Sequence, residues 1–254
     1  GDTMISVITC CARPAEDTIQ ERNIAKTIGV DHQFIMVDGS SGIGLAEAYN
    51  QGIEHATGDI LVFIPEDVLF MKPGWGIVLE KKFAADPWLG AIGVAGTQYL
   101  FAEKYSWTAA GRPFIKGRVV QHLENGDFFA VVFSQEKGDF PVVAIDGIFM
   151  AIKRPVLQKA AFDQHCFQGN CFYDLDFCMQ INHDYRLIVT TEIVLKRRHI
   201  TSFDKVWNNY GQQFLAKHAN SLPLSCVDIV PDPENFVSSQ VVDLKGKVPI
   251  ETIC

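Results

Sequence analysis

No stretch of this 254-residue chain approaches the ~18 consecutive apolar residues of a membrane span, and it opens without the charged and apolar regions of a signal peptide. The expectation is a cytoplasmic chain with no transmembrane segment. Basic residues are in the minority: Lys and Arg total 22 against 30 Asp and Glu, a net charge of −8. That balance argues against generic binding to nucleic acid or an anionic membrane surface, so any nucleotide is read in a small pocket. A local basic run, Lys196, Arg197 and Arg198, remains available to phosphate. The seven cysteines are odd in number and scattered. Cys166 and Cys171 are too widely spaced for a zinc knuckle and have no second pair, so reduced core thiols are expected rather than disulfides or zinc. No GxGxxG follows either of the first two strands, which argues against hydride-transfer cofactors. There is no internal repeat and no low-complexity segment.

With 48% hydrophobic and 20% charged residues the composition is that of an ordinary globular chain. Its first half alternates strand and helix patterns. Met4 to Thr9, Gln33 to Val37, Ile60 to Ile64 and Leu89 to Ala95 read as buried strands. Pro14 to Ile28, a run with Leu45, Ala48, Tyr49, Ile53 and Ala56 at helical spacing, and Trp75 to Ala85 read as the helices between them. Such alternation implies βαβ units, a mostly parallel sheet and an α/β fold. Residues 97 to 140 break the rhythm with Gly111, Pro113, Gly117, Gly126 and Gly138 among short aromatic and β-branched runs, which predicts a loop-rich, partly β insertion. Val142 to Ile152 reads as a strand broken at Asp146 and Gly147. Tyr173 to His183 reads as a helix, Arg186 to Thr191 as a strand, and Asp204 to His218 as a last helix. The prolines after Ser221 predict an extension without long elements, wrapped on the domain or partly mobile. The expected organisation is one domain over 1–220, with the insertion at about 97–140 and an extension over 221–254.

Three constellations carry chemistry. Ile64, Pro65, Glu66 and Asp67 set two carboxylates at the C-terminal end of an apolar strand, the end at which open α/β sheets bind ligands. Such a pair can hold a divalent cation against phosphate oxygens, or simply cap a helix. The second strand ends in Val37, Asp38, Gly39, Ser40, Ser41, a carboxylate followed by small residues that suit a nucleobase or ribose, and equally a plain βα turn. Phe172, Tyr173, Asp174, Leu175, Asp176 places two carboxylates two apart at a helix start, pointing in different directions. One can act as a general base while the other caps the helix or binds acceptor. His199, after three cations, can complete an oxygen-rich metal site, contact a diphosphate, or sit on the surface.

Taken in order, these pieces resemble the family-2 type of nucleotide-sugar-dependent glycosyltransferases with the GT-A fold. The likeness runs from Ser6, Val7, Ile8 through Val37–Ser40, Ala48–Ile53 and Ala56–Asp59 into Ile64–Asp67. It resumes at Asp146–Phe149 and Tyr173–Asp176 and ends at His199. The resemblance implies a Rossmann-like nucleotide-binding half with a mostly parallel central sheet. It implies Thr9, Arg13, Asp38, Asn50 and Asp67 at the nucleotide, and Asp67 with help from Glu66 and His199 at Mg²⁺ or Mn²⁺. Asp174 is the implied catalytic base, and Asp146, Gly147, Asp176 and Trp107 are implied at the acceptor or sugar, with Trp75 as an alternative stacking ring. Two departures stand out: Pro65 replaces the first Asp of the family's DxD motif, and Gln180 stands where Arg is frequent.

The activity so implied is inverting transfer of a sugar from a nucleotide diphosphate sugar, a UDP-sugar first, to a glycan or other hydroxyl acceptor. The alternative is a non-catalytic module of the same fold that binds a nucleotide sugar or glycan. A sugar-nucleotide nucleotidyltransferase is disfavoured, because Cys10, Cys11, Ala12, Arg13 and Pro14 replace the glycine-rich basic loop it would need. Oligomeric state is not readable from these residues.

Overall fold

The structure is a computed structural model that describes residues 3–198 and 202–244. Its centre is a seven-stranded sheet in the order Asp139–Val142, Arg186–Thr190, Leu89–Gly93, Met150–Lys153, Ile60–Phe63, Ile5–Cys11, His32–Asp38. Ile5–Cys11 runs parallel to both His32–Asp38 and Ile60–Phe63, and Arg186–Thr190 runs parallel to Leu89–Gly93. Met150–Lys153 lies antiparallel between Ile60–Phe63 and Leu89–Gly93, and Asp139–Val142 is an antiparallel edge. The fold is therefore mixed α/β with a central sheet flanked by helices, a GT-A-like architecture. Five of the seven strands point one way, but three of the six pairings are antiparallel, so the sheet is more mixed than the sequence predicts.

Both faces of the sheet are covered, which is why its strands read as continuous apolar runs. Because successive side chains alternate between faces, the strands divide their residues between two cores. Ile5, Val7 and Val62 pack with Ile24 of the helix Ile19–Thr27, with Ile28 that caps its C-terminus, and with Trp75 and Leu79 of the helix Trp75–Ala85. Ile8, Leu61 and Phe63 pack instead with Ala48 and Tyr49 of the helix Leu45–His55 and with Phe177 of the helix Tyr173–Ile181. Tyr49, Phe63 and Phe162 meet ring to ring, with centroids 5.0–5.5 Å apart.

The first helix starts later than Pro14 suggests. Thr18 caps it, its hydroxyl accepting from Glu21 N at 3.1 Å, and Asp17 before it has φ 52°. The Thr-x-x-Glu spacing of a capping box outweighs a first-turn proline. Residues 12–17 are thereby left as an exposed loop at the C-terminal end of the first strand. The pattern read as one strand over Leu89 to Ala95 divides: Leu89–Gly93 stays in the main sheet and Ala95–Thr97 enters a second one. Val142 to Ile152 breaks at Asp146–Phe149, where the sequence places the break, but its first part also changes sheet: Asp139–Val142 and Met150–Lys153 lie in the main sheet and Ala144–Ile145 in the second.

In the second sheet Ile115–His122 and Phe128–Val132 form an antiparallel hairpin. Leu195–Arg197 joins Ile115–His122 to the short strand Leu69–Phe70, just beyond the acidic loop. The last described segment is tied down by strand pairing: Leu224–Ser225 pairs with Tyr99–Leu100, and Gln240–Asp243 with Phe128–Val132. Among the described residues no helix is long and apolar enough to cross a membrane.

Candidate functional site

The loop after Ile60–Phe63 is fixed from below. Gln20, 5% exposed on the first helix, donates its amide to Pro65 O at 2.8 Å and to Val68 O at 2.9 Å. Two buried bonds to one side chain set the turn that presents Glu66 and Asp67. Glu66 Oε2 accepts from Ala12 N at 3.1 Å, and Asp67 Oδ2 from Arg198 N at 3.1 Å. The acidic loop thus bridges the end of the first strand and the basic run. The role of Gln20 is absent from the sequence reading, although a signal exists: it continues the buried stripe Ile24, Ile28 at i and i+4, where a polar amide needs a partner.

Asp38 pairs in register with Cys11, and the charges of both Asp38 and Glu66 act on the Cys10 and Cys11 thiols, so the two residues share one edge. Asp38 Oδ1 accepts from Ser40 N at 2.8 Å, and hydrogen bonds from Ser40 hold this exposed carboxyl below its usual range. Burial, a hydrogen bond to Glu66, and the charges of Glu66 and Asp38 raise the Cys11 thiol. Asp38, Glu66 and Asp67 therefore gather at the C-terminal ends of the first three strands. Arg13 lies in the exposed loop next to them.

Two other residues expected at the nucleotide are placed elsewhere. Thr9 is 1% exposed and, by alternation, shares the face of Ile5 and Val7 beneath the first helix. Its Oγ1 has no hydrogen-bond partner among the described residues. Asn50 spends its amide on Phe162 O at 2.8 Å and Gln164 Oε1 at 2.9 Å, tying its helix to the 162–164 loop. Both corrections have one cause: a polar residue near a strand end or on a helix is as useful to packing as to a ligand, and only its facing tells which.

The break after Ala144–Ile145 meets the helix Tyr173–Ile181. Phe172, at φ 65°, turns the chain into that helix without a side-chain cap. Asp174 Oδ2 accepts from Gly147 N at 2.7 Å, and Oδ1 from its neighbour Leu175 N at 2.9 Å. Asp146 is held separately, Oδ2 accepting from Trp107 Nε1 at 2.9 Å and Oδ1 from Ile148 N at 2.8 Å. Burial first, and then the charge of Asp146, push the Asp174 carboxyl up to about 7, against the backbone amides of Leu175, Gly147 and Asp174 that favour its ionised form. Asp146, Gly147, Trp107 and Asp174 are thus one constellation.

Asp176, expected at the acceptor, is instead fully buried. Its Oδ1 lies 2.7 Å from both Lys217 Nζ and His218 Nε2, and its Oδ2 accepts from Gln180 Nε2 at 3.0 Å. It anchors the helix Lys205–Lys217, so Gln180, where the resemblance expects Arg, belongs to the same structural network. Trp75 is also a core residue: it is 2% exposed, stacks on Phe70 at 4.1 Å, and donates to Thr27 Oγ1 at 3.0 Å. It is not available to a sugar.

Among the described residues no three or more His, Cys, Asp or Glu gather as a metal cluster. His199 lies outside the described residues. The donor chemistry still fits Mg²⁺ or Mn²⁺, hard cations that are commonly bound through one or two carboxylates with substrate phosphates completing the shell. Adjacent Glu66 and Asp67 are the carboxylates that could provide those oxygens.

Comparison of sequences with curated proteins gives no match. Solved structures of similar fold include GalNAc-T7 and a mannosyltransferase. GalNAc-T7 crystallised with UDP, GalNAc and Mn²⁺ superposes with TM-score 0.54 at 10% identity over 78% of this chain, which spans 44% of that one. The mannosyltransferase PcManGT from Pyrobaculum calidifontis, in complex with GDP-Man and Mn²⁺, gives TM-score 0.52 at 17% identity over 92% of this chain and 67% of its own. The model of the glycosyltransferase like family matches residues 7–220, most of the chain, which therefore belongs to that family.

Proposed function

We propose that the protein transfers a sugar, with inversion, from a nucleotide diphosphate sugar to a hydroxyl acceptor, a UDP-sugar being the first candidate. The observation that carries this reading is Asp174. A carboxylate whose pKa stands near 7, fixed on Gly147 N and partly buried beside Asp146, has the proton affinity of a base working at neutral pH. The donor would lie across the ends of the first three strands, its base near Asp38 and its diphosphate near Asp67. Glu66 and Asp67 would hold Mg²⁺ or Mn²⁺, which neutralises charge on a departing diphosphate. The acceptor oxygen bonds to the anomeric carbon as the bond to the diphosphate oxygen breaks, and the acceptor proton passes to Asp174. A single displacement of this kind needs no covalent enzyme intermediate. Asp146, kept in place by Trp107 and the Ile148 amide, raises the affinity of Asp174 for that proton.

The test is nucleoside diphosphate release from a panel of nucleotide sugars with Mn²⁺ and hydroxyl acceptors, comparing the native chain with Asp174→Asn. Turnover that falls by roughly 10²- to 10⁴-fold in the variant, with donor binding retained, is the expected result. Full turnover in Asp174→Asn overturns the assignment of the base. Donor binding without turnover in the native chain supports the non-catalytic module instead, the reading that Pro65 in the acidic motif favours.

A further inference from the structure

The aromatic side chains beside the helix that carries Asp174 form a graded series from core to solvent. Phe172, two residues before Asp174, is 4% exposed. Its ring centroid lies 5.5 Å from that of Trp207 and 5.9 Å from that of Tyr105. Tyr105 and Trp207 meet edge to face at 5.0 Å, and Trp207 meets Phe203 in the same way at 4.8 Å. Tyr105 and Trp207 are half-buried, whereas Phe203 is 68% exposed. Gly211, one turn after Trp207, is what admits Tyr105, since a Cβ there would stand 2.4 Å from its ring.

This series is joined to the reacting groups on two sides. Tyr105 is two residues from Trp107, whose indole holds Asp146. On the other side, burial and then the charges of Asp174 and Asp204 push the Cys171 thiol up to about 12, so both carboxylates act on that one sulfur. Polar groups rim the rings: the Tyr105 hydroxyl donates to Asn208 Oδ1 at 2.8 Å, and Ser202 Oγ to Asp204 Oδ2 at 3.2 Å. Asp204, Lys205, Asn208 and Asn209 are all exposed.

Resting on the glycosyl-transfer reading above, we propose that Tyr105, Trp207 and Phe203, rimmed by Asn208, form the acceptor subsite and that the acceptor is a carbohydrate. A sugar ring presents an apolar C–H face and a rim of hydroxyls. Partly exposed aromatic rings take the face, and amide and carboxylate groups at their edges take the rim. An alkyl chain needs a continuous apolar groove, and here the charged and amide side chains of the helix Lys205–Lys217 interrupt one.

The experiment follows the Trp207 indole N–H resonance, assigned with Trp207→Phe, while neutral gluco-, manno-, galacto- and chito-oligosaccharides and hexyl phosphate are titrated in turn. At least one saccharide should move it. Phe203→Ala, an exposed change that spares the core, should weaken that saccharide about 2- to 10-fold and leave UDP binding with Mn²⁺ unchanged. No shift with any saccharide, a shift untouched by Phe203→Ala, or a response to hexyl phosphate alone overturns the proposal. Turnover is read separately, in the nucleotide-sugar panel above. Saccharide binding without turnover would count against the transferase reading alone, and turnover without a Trp207 shift against this subsite alone.

Discussion

The backbone N–H of Gly147 donates to Asp174 Oδ2 at 2.7 Å, and a Cβ on Gly147 would stand 2.3 Å from the Tyr173 hydroxyl and 3.2 Å from that same carboxylate oxygen. The strand break and the helix start therefore meet with no room for a side chain. Gly147→Ala should displace Tyr173 or the break itself, costing about 1–3 kcal/mol from overpacking. Turnover should fall by roughly 10²-fold through misplacement of Asp174. Urea unfolding and single-turnover kinetics check both parts, and an unaltered rate would show that the contact does not position the base.

The raised pKa of Asp174 makes two statements about pH. A base must be ionised to accept a proton, so acceptor-dependent turnover should rise with pH through about 7 and then level. The folded protein also holds this proton more tightly than the unfolded chain, whose value is near 3.8. Stability from this group is therefore lost as pH rises from about 4 to about 7. Unfolding of Asp174→Asn across that window should lack this part of the slope. Parallel stability curves for the two proteins would contradict the shift.

Asp176→Ala should act on stability rather than on acceptor affinity. It removes the buried carboxylate that meets Lys217 and His218, while Lys217 keeps Asp163 at 2.7 Å, so the loss should be about 1–3 kcal/mol for buried hydrogen bonds left unmade. The readout is the midpoint of urea unfolding. A stable Asp176→Ala protein with a raised acceptor KM would return this residue to the acceptor site.

Asp67→Asn should weaken Mn²⁺-dependent UDP binding far more than Glu66→Gln. Both carboxylates accept one backbone amide at 3.1 Å, so the difference rests on the resemblance, in which Asp67 matches the indispensable carboxylate and Glu66 the variable position. In a thermal shift series UDP at 100 times its dissociation constant should add about 2.7 kcal/mol to the native chain. That gain should nearly vanish in Asp67→Asn. Equal losses in the two variants would mean that the diphosphate faces both carboxylates alike.

Gln20→Ala leaves the Pro65 and Val68 carbonyls without their amide donor, at a cost of about 1–3 kcal/mol. Mn²⁺-dependent UDP affinity should fall as well, because the turn bearing Glu66 and Asp67 loses its support. Isothermal titration separates this from a loss of folded protein. Unchanged affinity would make the clamp purely structural.

Wherever function depends on strand ends, the sequence was informative. Ile60–Phe63 followed by Pro65, Glu66 and Asp67, and Val37 followed by Asp38, mark the C-terminal edge of a sheet, because buried runs and turn residues are local signals. The antiparallel insertion of Met150–Lys153 between Ile60–Phe63 and Leu89–Gly93 carries no such signal. Strand order is settled by which long-range pairings bury both faces at once. Asp174 and Asp176 show the same limit inside one helical turn. Their spacing requires them to face apart, yet nothing local says which meets Gly147 and which meets Lys217.

Composition, hydrophobic period and turn chemistry by themselves determined the α/β class, most strands and helices, and the family resemblance. The tertiary structure alone assigned Thr9 and Trp75 to the core, Asn50 to a loop tie, Asp176 to a buried ion cluster and Gln20 to the acidic loop. Local pattern encodes backbone conformation and the buried side of an element. What a polar side chain does there is decided by the surroundings that a distant segment brings to it, because most buried hydrogen-bonding groups are satisfied by whatever the fold places within about 3 Å.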